Sequence, residues 1–262
     1  MPWRIFEVYT ALPAFLLVLS RVAGLMLASP LFSGTMLPTP INVILALAIS
    51  LSIFPLMAGG LVVPVTLGSA AAGMAGELAI GLVLGLGVTL VFTGAQVAAQ
   101  LISQQAGIAL GEVFNPMMES SSTEVSQLYF LVAMAVFLAV DGHHALIRAL
   151  LDSFATIPPL GFKPDASLLE LVVELLTLSF IIAVRVGGPV MLALLLALLT
   201  LGFISRTMPQ LNLLTFGFPL KLALAMFMMA VTLISLESIL VDALVEVMDG
   251  VRAGLGITGA GG

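Results

Sequence analysis

The chain has 262 residues, 61% hydrophobic and 8% charged, with a mean hydropathy of +1.24. Soluble domains carry about 25% charged residues, so a water-soluble globule is excluded, and continuous apolar runs in place of short alternating segments exclude a transmembrane β-barrel. The net charge of −6 is scattered with no basic cluster, which speaks against nucleic-acid binding, and the lack of cysteine rules out disulfides, thiol catalysis and cysteine-ligated metals.

What remains is an all-α, polytopic membrane protein with long, interrupted helices. The N-terminal MPWRIFEVYTALPAF lacks a basic stretch followed by a small-residue cleavage site, so the first apolar run is expected to stay in the mature protein. That run covers about residues 9–32 and contains Arg21. SGTMLPTP at 33–40 is a turn, and Thr39-Pro40 reads as an N-cap followed by proline at the first helical position. A second segment spans about 41–58 and is ended by Gly59-Gly60 and Pro64.

The third segment, about 69–104, has Glu77 near its start, and its residues 78–95 are about as long as the ~20 apolar residues that cross a bilayer. Gly81 and Gly85 are a small-xxx-small pair that lets another helix backbone come close. Thr89, Thr93, Gln96, Gln100 and Gln104 recur at three or four residues and make one polar stripe. Such a stripe either hydrogen-bonds neighbouring helices or faces water in a channel, and both can hold at different heights.

Between this segment and the apolar run at 128–140 lies a polar, glycine-bearing stretch broken by Pro116. A membrane chain has little reason to place such a segment there unless it lines or blocks a passage. Its tip, FNPMM at 114–118, is apolar, and Phe114, Met117 and Met118 could form a deformable seal, because methionine is unbranched and soft.

Ser121-x-x-Glu124 is a capping box predicted to start a fourth helix running to about residue 157, through Asp141, His143, His144 and Arg148, where Pro158-Pro159 and Gly161 end it. Ser167-x-x-Glu170 is a second capping box, opening a stretch to about 204 that Arg185 and Gly187-Gly188-Pro189 should break near its middle. The last segment, about 211–247, contains Lys221 and Glu237, with a further bend at Gly217 and Pro219. One helical domain over 1–250 and a flexible glycine-rich tail at 251–262 complete the chain.

His143 and His144 are adjacent, so on a helix they point about 100° apart. They are not expected to share a metal, and no ligand spacing accompanies them. No nucleophile elbow, P-loop or dinucleotide fingerprint is present, so neither catalytic residue nor cofactor is expected. Arg21, Glu77, Asp141, Arg148, Arg185 and Lys221 lie in or beside apolar runs, where each charge costs ~2.5–3.5 kcal/mol on insertion scales. They must pair, face water or lie outside lipid. Pairing between subunits is preferred here over a proton relay through Glu77 or Asp141.

GHHALIRALLDSFATIPPLG at 142–161 and SRTMPQLNLLTFGFPLK at 205–221 resemble signatures of the FliR family, the R subunit of the flagellar type III export gate, and the GFPLK ending favours the flagellar over the injectisome branch. The resemblance covers length, block order and the loop after the third block. Two departures are Asn115-Pro116, where the family often has Asp-Pro, and Asp141 before Gly142, where it often has a small or amide residue.

The resemblance implies a fold like a P-type subunit joined to a Q-type subunit. It implies one R copy among P and Q subunits in a bacterial inner-membrane flagellar basal body, much of the assembly being raised towards the periplasm. It also implies contact with the A and B export components and passage of unfolded flagellar proteins. The loop, about 107–119 and including Gly107, Gly111, Phe114, Asn115, Pro116, Met117 and Met118, would be the plug.

Gln96, Gln100 and Gln104 would face the pore or a subunit. Arg185, Pro209, Gln210, Asn212, Pro219 and Lys221 would serve as helix breaks and subunit contacts. In that motif the amides of Gln210 and Asn212 can satisfy backbone groups freed by Pro209. Lys221 either neutralises a neighbouring carboxylate or snorkels to an interface. The rival reading is an ion-coupled secondary transporter of a small solute, for which the interruption around Gly187-Gly188-Pro189 would be the binding region, although its repeated halves are not found.

Overall fold

In a computed structural model of the chain, residues 2–33, 38–57, 67–108, 124–161, 166–208 and 213–254 are described, and the regular structure among them is entirely helical. The described residues form α1 (Pro2–Ala28), a short α2 (Pro30–Ser33), α3 (Thr39–Met57), α4 (Leu67–Ala106), α5 (Glu124–Ala139), α6 (Gly142–Thr156), α7 (Ala166–Thr207) and α8 (Leu213–Gly254). Among the described residues, four helices are long and apolar enough to cross a membrane, or five spans result if α5 and α6 together count as one.

The all-α membrane architecture therefore holds, and several boundaries move. The amides of Ile41 and Asn42 both donate to Pro38 O, at 2.9 and 3.4 Å, so α3 is capped one residue before Thr39. The helix expected to run from the Ser121-x-x-Glu124 capping box to about residue 157 is two helices among the described residues. Asp141 adopts a left-handed backbone, φ 56° and ψ 29°, and separates α5 from α6. Aspartate is one of the few residues with a side chain that tolerates this region. Likewise α7 starts at Ala166, ahead of the second capping box.

The expected break at Gly187-Gly188-Pro189 does not occur, since α7 runs unbroken for 42 residues with Pro189 inside it. The carbonyl that proline deprives of a partner belongs to Arg185, and both residues lie on the exposed side. Long membrane helices tolerate proline because the remaining ladder and neighbouring groups compensate. For the same reason α8 passes through Pro219 without interruption. The motif Pro209, Gln210 and Asn212 lies outside the described residues, but α7 stops just before it, at Thr207. At the far end, α8 continues to Gly254 with Val251 buried, so the first four residues of the expected tail are helical.

The chain divides into two compact units, the first made of Met1–Leu90, Asp141–Leu176 and Val245–Gly262, the second of Val91–Val140 and Thr177–Leu244. In the first unit, α1 and the N-terminal half of α4 touch backbone to backbone. A Cβ on Gly24 would collide with Leu78 O and one on Gly81 with Arg21 O, while one on Gly85 would lie 2.7 Å from Leu25 O. Glycine is required at this crossing because any side chain would force the helices apart, as the small-xxx-small spacing predicted. Further along α4, Gly87 meets Val247 and Val251 of α8 and Leu175 of α7. Phe15 of α1 packs edge-on against Phe54 of α3 at 5.8 Å.

In the second unit, Ile102 and Ala106 of α4, Val190 and Leu194 of α7, and Ala225 and Met229 of α8 form a buried cluster. Gly94 sits against Ser179 O and Ile182, and Phe92 packs edge-on to Phe137 at 5.7 Å. The Tyr129 hydroxyl is satisfied by Thr232 Oγ1 at 2.9 Å, as a buried phenol requires.

Candidate functional site

Two arrangements stand out, one in each unit. In the first unit, Arg21 and Glu77 are fully buried and joined at 2.6 Å, Arg21 Nε and Nη2 both facing Glu77 Oε2. The guanidinium also donates from Nη1 to Ser153 Oγ at 3.1 Å and from Nη2 to Ile157 O at 3.0 Å, and it stacks on the Phe154 ring at 4.0 Å. Glu77 Oε1 accepts the Leu160 amide at 3.1 Å. One buried pair thus fastens α1, α4, the end of α6 and the turn after it. Arginine suits this role because its planar fork offers five donors in fixed directions.

The fastened turn is itself strained. Gly161 N donates to Pro158 O at 2.8 Å, closing a four-residue turn with Pro159 second and Leu160 third. Leu160 has φ 69°, a position normally left to glycine. Holding a leucine there costs about 1–2 kcal/mol, offset by the amide bond to Glu77 and by its side-chain contact with Gly73, where a Cβ would collide. The 142–161 motif therefore supplies Ser153, Phe154, Ile157 and Leu160 to a clamp around two charges that lie far off in sequence.

That clamp corrects the expectation that these charges pair between subunits, since Glu77 pairs with Arg21 of the same chain. A signal for it was present: Arg21 is the sole charge in residues 12–28 and Glu77 the sole charge in α4, with opposite signs. The roles of Ser153, Phe154 and Leu160 carried no comparable signal.

The polar stripe of α4, most of it in the second unit, divides along its length. At its base, still within the first unit, Thr89 Oγ1 donates to Ala28 O and to Gly85 O, bonding between helices as one reading expected. Higher up, Gln96 is half-buried, its carbonyl accepting a long 3.4 Å bond from Ser126 Oγ, while Gln100 and Gln104 are exposed. Gln105, outside the stripe, donates to Met191 O at 3.2 Å.

α4 then ends in a Schellman motif. Ile108 N donates to Ser103 O at 3.0 Å and Gly107 N to Gln104 O at 3.2 Å, with Gly107 at φ 88° and Ile108 packed on the Ile102 cluster. Of the plug residues named from the sequence, Gly107 is among the described residues. Gly111, Phe114, Asn115, Pro116, Met117 and Met118 lie outside the described residues. Arg185 is exposed, Pro219 is exposed and Lys221 is half-buried.

At the start of α6, Asp141 does not cap the helix with its side chain. Its Oδ1 instead lies 3.1 Å from His144 Nδ1. The His143 and His144 rings lie close, centroids 4.1 Å apart and planes tilted by 38°, so the two side chains are not splayed as the sequence suggested.

Among the described residues, long apolar helices with close glycine crossings and a buried charge pair define a polytopic helical membrane protein. The sequence pattern of the family described as bacterial export proteins, family 1, matches residues 12–247, and the chain belongs to that family. It is 28% identical over 245 residues, 93% of this chain and 96% of the relative, to flagellar biosynthetic protein FliR of Caulobacter vibrioides. It is 27% identical to the protein of the same name from Escherichia coli, covering 81% of each chain. It is also 27% identical to Yop proteins translocation protein T of Yersinia pestis, over 66% of this chain and 67% of that one.

Proposed function

We propose that the chain is the R-type component of a flagellar type III export gate in the bacterial inner membrane. It assembles with P- and Q-type subunits as one export-gate domain and works with the A and B export components to pass unfolded flagellar proteins. Family membership and the flagellar names of its relatives support the assignment. Energy comes from other components, because the sequence has no nucleotide-binding motif, and the role is non-enzymatic.

The observation that carries the gating part is the top of α4. Exposed Gln100 and Gln104 stand near the end of a largely apolar 39-residue span, just before the Gly107 stop. Amides in that position need water or a partner subunit, since lipid offers them no hydrogen bonds. The residues after Gly107 form the plug, with Phe114, Met117 and Met118 as its seal, and the assembled gate is raised towards the periplasm. Exposed Arg185 and Pro219, together with Lys221, face other subunits.

Replacing Phe114, Met117 and Met118 together by alanine should raise ion leak through membranes carrying the assembled gate. Unchanged conductance would remove the plug from the account. The transporter reading loses its main support, because the segment around Gly187-Gly188-Pro189 is continuous helix.

A further inference from the structure

The group Asp141, His143 and His144 is not used in the gate reading above. We propose that it is a binding site for one divalent transition-metal ion of the zinc class, held at the start of α6. Each of the three residues offers a ligand atom, and these atoms all lie within 4.8 Å of one another. Around an ion with ~2.1 Å bonds, tetrahedral ligands stand about 3.4 Å apart, so small rotations of exposed side chains close the site.

Three features prepare it. The left-handed backbone of Asp141 turns its carboxylate away from capping α6 and towards His144. The two rings already lie side by side with centroids 4.1 Å apart, and Asp141 and His144 are open to water and to an arriving ion. Third, His143 Nδ1 is buried with no hydrogen-bond partner among the described residues. An imidazole nitrogen in that state costs about 1–3 kcal/mol, and metal coordination is one way to relieve it.

Two imidazoles and one carboxylate select zinc, nickel or copper over magnesium or calcium, which prefer oxygen ligands. The positive end of the α6 dipole opposes a cation by about 0.3–1 kcal/mol, and the carboxylate of Asp141 offsets this. Water completes the coordination.

The test uses the full-length chain purified in detergent without a polyhistidine tag and titrated with Zn2+ by calorimetry. One ion per chain is expected, with affinity falling at least tenfold in D141N and in H144Q and further in H143Q/H144Q. D141N and H144Q alter exposed side chains, so circular dichroism should match the parent. Zn2+ should also raise the melting temperature of the parent but not of H143Q/H144Q. Equal Zn2+ affinity in the parent and H143Q/H144Q overturns the proposal, as does Mg2+ binding as tightly as Zn2+. Neither result bears on the export role.

Discussion

Arg21 Nη2 stands 2.6 Å from Glu77 Oε2, both side chains fully buried and 56 residues apart in sequence. Removing one partner of such a pair leaves an uncompensated charge, costing about 3–5 kcal/mol, whereas replacing both by apolar residues is often neutral. R21M and E77L should each sharply reduce thermal stability and accumulation in the membrane. R21M/E77L should recover most of the loss. A double variant as unstable as the sum of the singles would show that the two side chains do not act as a pair.

Gly81 meets the α1 backbone, and Gly188 has open space where a Cβ would stand. The same change should therefore have opposite signs. Gly81→Ala should destabilise by several kcal/mol, because Arg21 O cannot move without separating the helices. Gly188→Ala should stabilise by up to about 1 kcal/mol from helix propensity alone. Melting temperatures of the two purified variants decide it.

At Gly107 the backbone needs a positive φ to close the Schellman motif. Substitution by alanine should cost about 1–2 kcal/mol, and substitution by asparagine distinctly less. Hydrogen exchange at the Gly107 and Ile108 amides should speed up in the alanine variant and stay near the parent in the asparagine one.

Gln100 and Gln104 discriminate between a water-facing and a lipid-facing end of α4. Q100L/Q104L would be harmless or mildly stabilising against lipid. In the proposed gate it should leave the chain in the membrane yet lower secretion of flagellar subunits severalfold, read from culture supernatants. Normal secretion would move the stripe away from the export route.

Pro189 lies inside a continuous helix, so Pro189→Ala restores a bond to Arg185 O and should leave stability at or above the parent value. Export should be unaffected. A large loss of secretion with a stable protein would return a hinge to this position.

Much of the architecture follows from composition and local pattern. The near-absence of charge and the long apolar runs determine a helical membrane protein, because a backbone in lipid must satisfy its own hydrogen bonds. The Gly81/Gly85 spacing announced a close crossing. Local signals failed where context overrides them. Pro189 and Pro219 look like breaks but are absorbed by long helices, and Asp141 looks helical but takes a left-handed turn that no periodicity reveals.

Tertiary structure alone decided who meets whom. Nothing local says that Ser153, Ile157 and Leu160 converge on Arg21 and Glu77, or that two adjacent histidines turn together beside Asp141. Periodicity records which face a side chain occupies on its own helix; which groups then lie within bonding distance depends on how distant segments pack.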